Sequence, residues 1–386
     1  MKILVTLFAD FPFGTPCASR MLNFCRLFRS LNHDVTVISD YISKEAHLVD
    51  CVHGVYENVD IFSSFKKRTF FSKVFKAWCA KRTIRSFLRH NKCDLIVSVS
   101  AEDRFKKISK IAQKHKIPLI LESCEKYHSS NWRLGKFDPR YWIFLNCWNH
   151  NYFKPHAVIA ISRLLEKHFN ACGYKTIRIP SILDVKNIPY STRTPKSSVS
   201  FVFSGSLGHG KDSLVEFMMA LNNVRHKLRR KMILNIYGPS KDAVENQLGE
   251  IHYVMQNLGD EVCYHGRIPQ SEIPLRLMEN DFGIILRPQR ESSNAGFPTK
   301  LAEYMSAGLA VLANDTGDIG LYLNESNGFL LKNKEVQSVE KALLAIDALT
   351  EEDLFKCRKC ARDTAEKCFD FRVYAKNVND FLFLRE

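Results

Sequence analysis

The segment Phe297-Pro-Thr-Lys-Leu-Ala-Glu303 brings a cap-forming hydroxyl, a cation and a carboxylate to the start of an expected helix. A strand, Phe282 to Leu286, precedes it and ends at Arg287-Pro-Gln-Arg290, followed by a polar loop from Glu291 to Gly296. Thr299 suits an N-cap, which leaves the first-turn amides around Phe297 to Leu301 open to an anion. Lys300 and Glu303 stand three apart and share a face near that end. A carboxylate so placed can accept two hydrogen bonds from vicinal hydroxyls such as a ribose diol. Glu303 alone reads as a solvent-facing helix acid. Cap, lysine and acid together after a buried strand argue for a nucleotide.

A second chemical feature is Gly205-Ser-Leu-Gly-His-Gly-Lys211, between an expected strand and an expected helix. Glycines let backbone amides approach an anion, the helix start adds positive potential, and Lys211 adds a mobile cation. Ser206 sits inside this turn. The segment is not a P-loop, because Asp212 stands where GxxxxGK[ST] needs a hydroxyl. A tight turn with a solvated lysine is the plain alternative.

Other groups carry weaker signals. Leu119-Ile-Leu-Glu122-Ser-Cys-Glu125-Lys-Tyr-His128 leaves a strand for a polar loop, where α/β folds place ligands, so Glu122, Glu125 and His128 are candidates. Each alone reads more readily as structural or merely solvated than as catalytic. Residues 65–89 hold nine basic residues, several aromatics and no acid. Such a stretch suits an anionic membrane surface, or is simply the basic outer face of a packed helix. Cys357 and Cys360 form a CxxC with no partner pair at zinc spacing, and their surroundings read as helix. No metal site is expected.

Alternating elements position these groups. Strands are expected at Lys2 to Leu7, His33 to Ser39, Asp94 to Val99, Pro118 to Glu122 and Ala157 to Ile161, with helices at Ser19 to Leu31, Arg104 to Lys114 and from Arg163. Gly14 lies in a breaker-rich loop, Phe11 to Pro16. After a polar stretch, Tyr190 to Ser198, the alternation restarts: strands Val199 to Ser204, Met232 to Tyr237, Val262 to His265, Phe282 to Leu286 and Ala310 to Ala313, with helices Ser213 to Leu228, Val244 to Leu258, Gln270 to Glu279 and Lys300 to Ala307. The pattern implies an α/β protein with two parallel-sheet domains, 1–190 and 199–365, and an amphipathic helix within 366–386.

At 386 residues the chain is too long for one ordinary core. No stretch has the length and apolarity of a membrane span, and the start reads as a buried strand rather than a signal peptide. Twelve scattered cysteines fit reduced thiols, so a cytoplasmic location is expected. The formal net charge of +15 points to anionic partners without choosing among them.

The stretch from Phe201 to Leu331, above all Phe297-Pro-Thr-Lys-Leu-Ala-Glu-Tyr-Met-Ser-Ala-Gly308, resembles the donor domain of retaining glycosyltransferases of the GT-B fold, sequence family 4. The resemblance extends over essentially the whole chain, including the loop at Gly14 and the last helix. It implies two Rossmann-like domains facing a central cleft, with the last helix crossing back to the first. It also implies transfer of a sugar from a nucleotide-diphosphate donor to a glycan or lipid-diphosphate-linked acceptor, as in surface-polysaccharide synthesis, without a metal or other cofactor.

By the same resemblance Glu303 holds the ribose and Lys211 the diphosphate. Gly14, Gly205, Ser206, Arg287, Gly296, Phe297, Thr299, Lys300 and Leu301 surround the donor; Glu122 and His128 join Lys211 as catalytic candidates. Two positions depart from the pattern. Ala295 stands where the E-x7-E signature has its first acid, so backbone or Asn294 would have to read the sugar. Ser206 replaces a common arginine, for which Arg287 or Arg290 could substitute. A non-catalytic sugar-nucleotide binder and an epimerase keep the same fold. A nucleic-acid-binding protein using residues 65–89 is the reading of another class; it leaves Glu303 unexplained, and no nucleic acid is expected.

Overall fold

The computed structural model describes residues 1–43, 52–66, 69, 76–99, 102–127, 129, 132, 134–150, 155–191, 198–207 and 212–383. By contacts the chain divides into two units: Met1–Leu183 with Phe371–Glu386, and Asp184–Asp370.

Unit 1 is built on strands β1 (Lys2–Thr6), β2 (Asp34–Ser39), β3 (His53–Tyr56), β4 (Val59–Ser63), β5 (Leu95–Val99), β6 (Leu119–Ser123), β7 (Ala157–Ala160) and β8 (Lys175–Arg178). Their order is β8-β7-β6-β5-β1-β2-β4-β3, and every pairing is parallel except the antiparallel β3–β4 hairpin. Ile3, Leu4 and Val5 of β1 are all buried, as a strand covered on both faces requires. The first helix runs from Pro16 to Ser30, three residues earlier than the apolar spacing suggests. Thr15 caps it, its hydroxyl accepting from the Ala18 amide at 3.1 Å, and proline is tolerated in a first turn that has no amide to satisfy. Phe371, Val378, Phe381 and Leu382 from the end of the chain join this core beside Phe24 and Phe28.

Unit 2 contains β9 (Ser198–Ser204), β10 (Lys231–Tyr237), β11 (Val262–Gly266), β12 (Phe282–Ile285), β13 (Ala310–Asn314) and β14 (Gly328–Leu331). All pair in parallel in the order β11-β10-β9-β12-β13-β14. Phe201 stacks on Phe282 and tilts against Phe217, with ring centroids 5.3 and 5.0 Å apart, which locks the Val215–Val224 helix onto the sheet centre. The single helix expected over Val244 to Leu258 is instead two, Lys241–Leu248 and Tyr253–Leu258. Gly249, at φ +58°, ends the first. Residues 184–191 belong to this unit because buried arginines of the Glu351–Cys368 helix hold their carbonyls: Arg362 donates to Val185 and Ile188 at 2.9 and 3.0 Å, and Arg358 to Ser191 at 3.3 Å. Within the polar stretch between the two alternating halves, residues 192–197 lie outside the described residues. The CxxC cysteines lie on that same helix, Cys357 buried and Cys360 half-buried, both free.

Candidate functional site

The C-terminal rim of the unit 2 sheet is made by glycines. Gly205 follows β9 at φ +142° and Gly238 follows β10 at φ +109°. Gly205 donates its amide to Tyr237 at 3.0 Å, and Gly238 donates to Gly266 at 2.7 Å. A Cβ on Gly238 would lie 2.1 Å from the Gly205 oxygen, so the two turns nest only without side chains. Gly205 and Ser206 are exposed at this rim. Gly208 to Lys211 fall outside the described residues, so the expected role of Lys211 has no geometry here.

Across the rim stands the Thr299–Ser306 helix, which brings the opening motif to the same place. Its N-cap is Pro298, not Thr299, and no side chain caps it. Thr299 is the first helical residue, because the proline ring already holds the chain in the extended entry that a cap needs. The amides that begin the helix therefore lack the side-chain partner that a threonine cap would supply. Leu301 donates back to Pro298 at 3.0 Å, closing the first turn. The expected polar loop before it is a short helix, Glu291–Ala295, entered from an extended Arg290 and ended by a buried Gly296.

Lys300 reaches over Gly205, where an added Cβ would meet its Cε at 2.6 Å. Its ammonium lies 4.2 Å from the Phe203 ring centroid and donates to Asp212 Oδ2 at 2.6 Å. Arg287, 6 % exposed, comes from the end of β12, with its Nε 3.7 Å from Asp212 Oδ1. Its backbone is held at both ends by Asn314: Arg287 N–H donates to Oδ1 at 2.7 Å, and Nδ2 donates to the Arg287 carbonyl at 2.9 Å. Arg290, the other candidate cation, is exposed. Glu303 is half-buried, and among the described residues its carboxylate makes no hydrogen bond or ion pair. Burial raises it above the ordinary glutamate value, and Lys300 only partly opposes this. A desolvated acid beside Lys300 near a helix start is a candidate ligand group.

Other expected residues have different surroundings. Phe297 is buried with its ring against Tyr322 and Phe369, centroids 5.6 and 5.8 Å away. Ala295 is fully buried, and Asn294 spends its Oδ1 on the Gly317 amide at 3.0 Å. Asp212 was legible only as a departure from a P-loop. Nothing in the spacing showed that it meets Lys300 and Arg287, which are far away in sequence.

In unit 1, Glu122 is the penultimate residue of β6, with no exposed surface. Arg20 Nε donates to it at 2.7 Å, and the Cys124 thiol lies 3.0 and 2.9 Å from its two oxygens. Arg20 also donates to the Ile179 and Pro180 carbonyls. Glu122 is therefore held in a buried network, its charge paired with that of Arg20. Glu125 is half-buried, and His128 lies outside the described residues. Gly14, at φ +105°, is exposed immediately before the capped first helix.

Among the described residues no group of His, Cys, Asp and Glu could hold a metal ion, and no helix is long and apolar enough to cross a membrane.

Residues 198–347 match the family described as "Glycosyl transferases group 1". No curated protein matches the chain. Among solved structures, HepE from Anabaena, in complex with UDP and glucose, is 16% identical with a TM-score of 0.68, covering 99% of each chain. A glycosyltransferase from Rickettsia africae is 13% identical with a TM-score of 0.71, covering 99% of this chain and 98% of its own. WaaG, a glycosyltransferase involved in lipopolysaccharide biosynthesis, is 14% identical with a TM-score of 0.66, covering 99% of each. The chain thus has the α/β fold of GT-B glycosyltransferases, with two Rossmann-like domains.

Proposed function

We propose that this protein is a glycosyltransferase that moves a sugar from a nucleotide-diphosphate sugar to a glycan or lipid-linked glycan acceptor. The observation that carries the reading is the desolvated Glu303 carboxylate, without a partner among the described residues, set three residues from Lys300 at the strand-end rim. Glu303 takes the ribose hydroxyls. Lys300, Arg287 and the amides at Thr299 and Lys300 face the diphosphate, with Lys211 as a further cation.

The chemistry follows from charge. As the bond from sugar to nucleotide breaks, negative charge grows on the diphosphate and positive charge on the ring. Fixed cations and amides at the leaving group stabilise the first of these without reorganising. In this reading they do so without a metal, and the anomeric configuration is retained. The sequence kinship is to family 4. The match of residues 198–347 to a glycosyltransferase family supports transfer over mere binding. Ala295 favours a second reading, a non-catalytic sugar-nucleotide binder, because a buried alanine contributes no polar group to the sugar.

Acceptor binding falls to unit 1, near Gly14, Glu125 and His128, and the acceptor belongs to bacterial surface-polysaccharide synthesis at the inner face of the membrane. The Lys76–His90 helix supports docking there: Ala80, Ile84 and Leu88 are buried, while Trp78, Arg82, Arg85 and Arg89 are exposed. Pelleting with anionic vesicles at physiological salt tests this, and a protein left in the supernatant ends it.

Thermal-shift titration with UDP-, GDP-, ADP- and CMP-sugars tests the central proposal, since a ligand that binds only the folded state raises the melting temperature. UDP-glucose comes first, because the HepE structures hold UDP and UDP-glucose. A shift with none of them refutes the reading. A shift without transfer or hydrolysis of any donor favours the non-catalytic binder.

A further inference from the structure

We propose that Asp212 is an internal counter-ion that holds the diphosphate-binding cations in the free protein and competes with the incoming donor. The inference rests on the donor-site reading above. Asp212 is 12 % exposed at its side chain, as is Lys300, whose ammonium it meets at 2.6 Å. Its other oxygen faces Arg287 Nε at 3.7 Å, too long for a hydrogen bond, and is buried with no hydrogen-bond partner among the described residues. A pair built only for stability would satisfy both oxygens, since a half-satisfied buried carboxylate is costly. A carboxylate between two cations, with one oxygen left unsatisfied, instead resembles a bound anion that another anion can displace.

The backbone that delivers Asp212 is fixed. Gln247 Nε2 donates to the Asp212 carbonyl at 3.3 Å, Ser213 N–H donates to Leu286 at 2.9 Å, and Leu214 N–H donates to Gln247 Oε1 at 3.2 Å. The carboxylate therefore cannot leave with a moving loop. When a diphosphate arrives, Lys300 and Arg287 must turn toward it, and Asp212 remains beside the phosphates as a like charge. Asp212 thus weakens binding of the donor and, equally, of the nucleoside diphosphate product. A weaker hold on product speeds its release.

The test compares wild type with Asp212→Asn, which keeps the shape and removes the charge, and with Asp212→Glu and Asp212→Ser. Calorimetric titration with UDP, GDP and ADP is set beside titration with the uncharged nucleosides. The expected result is a dissociation constant for the preferred diphosphate about tenfold lower in Asp212→Asn, lower also in Asp212→Ser, and near wild type in Asp212→Glu. Nucleoside binding is unchanged in all three. If Asp212 merely orients Lys300, both neutral variants bind the diphosphate more weakly, and the proposal is overturned; equal affinity overturns it as well. Wild type and variants that all ignore every nucleotide overturn the donor site itself, and the counter-ion with it.

Discussion

Gly283 and Tyr304 are fitted to each other: a Cβ on Gly283 would lie 2.1 Å from Tyr304 Cδ2 and 2.3 Å from its Cγ. Through this contact the Thr299–Ser306 helix approaches β12 closely enough for the Tyr304 hydroxyl to accept the Ser204 amide at 3.0 Å, at the end of β9. The helix that carries Lys300 and Glu303 is thereby fixed to two adjacent strands. Gly283→Ala is expected to lower stability by about 3 kcal/mol, because a packed core yields little to an extra methyl group. Tyr304→Phe should cost about 1–2 kcal/mol through the stranded amide. Urea denaturation of both variants measures each.

Glu303→Gln separates function from stability. Its folded-state titration is raised above the ordinary value of 4.5 by burial. Ionising it therefore opposes folding at neutral pH, and this penalty fades as pH falls below the ordinary value, where both states are protonated. Glu303→Gln should be more stable than wild type at pH 7 and equal to it at pH 3. It should also lose about 2 kcal/mol of nucleotide affinity as one charged hydrogen-bond acceptor is removed. Urea melts across pH, with calorimetry at pH 7, read both effects.

Gly205→Ala forces a side chain into a left-handed backbone at φ +142° and onto Lys300 Cε. A loss of about 1–3 kcal/mol in stability is expected. Because the lysine must move, nucleotide affinity should fall even when the protein is fully folded at the assay temperature, which circular dichroism verifies.

Glu122→Gln, in unit 1, removes the charge opposite Arg20. Truncating one member of a fully buried pair costs about 3–5 kcal/mol, so a marked drop in melting temperature is expected. Thermal unfolding followed by circular dichroism checks it. A variant that keeps its melting temperature while losing turnover would restore Glu122 as a reactive acid.

The strands were readable because those of a parallel sheet are apolar on both faces, so β1, β9, β12 and β13 stand out as runs. The Phe297 to Glu303 motif was readable because a lysine and an acid three apart share a helix face whatever surrounds them. Local competition set the errors. Pro298 took the cap that Thr299 suited, the segment from Glu291 to Ala295 closed into a helical turn, and Gly249 cut one expected helix in two.

The sequence by itself thus determined two alternating α/β domains and a cation and carboxylate on one helix end, since both depend on periodicity within a few residues. Only the tertiary structure decided which charges meet. Asp212, Arg287 and Lys300 converge because β9 and β12 lie side by side in the sheet and the following helix folds back on them. Glu122 meets Arg20, 102 residues earlier, as a buried ion pair. Coulombic partners are chosen by distance in space, and spacing along the chain carries no record of that distance once the chain has turned back on itself.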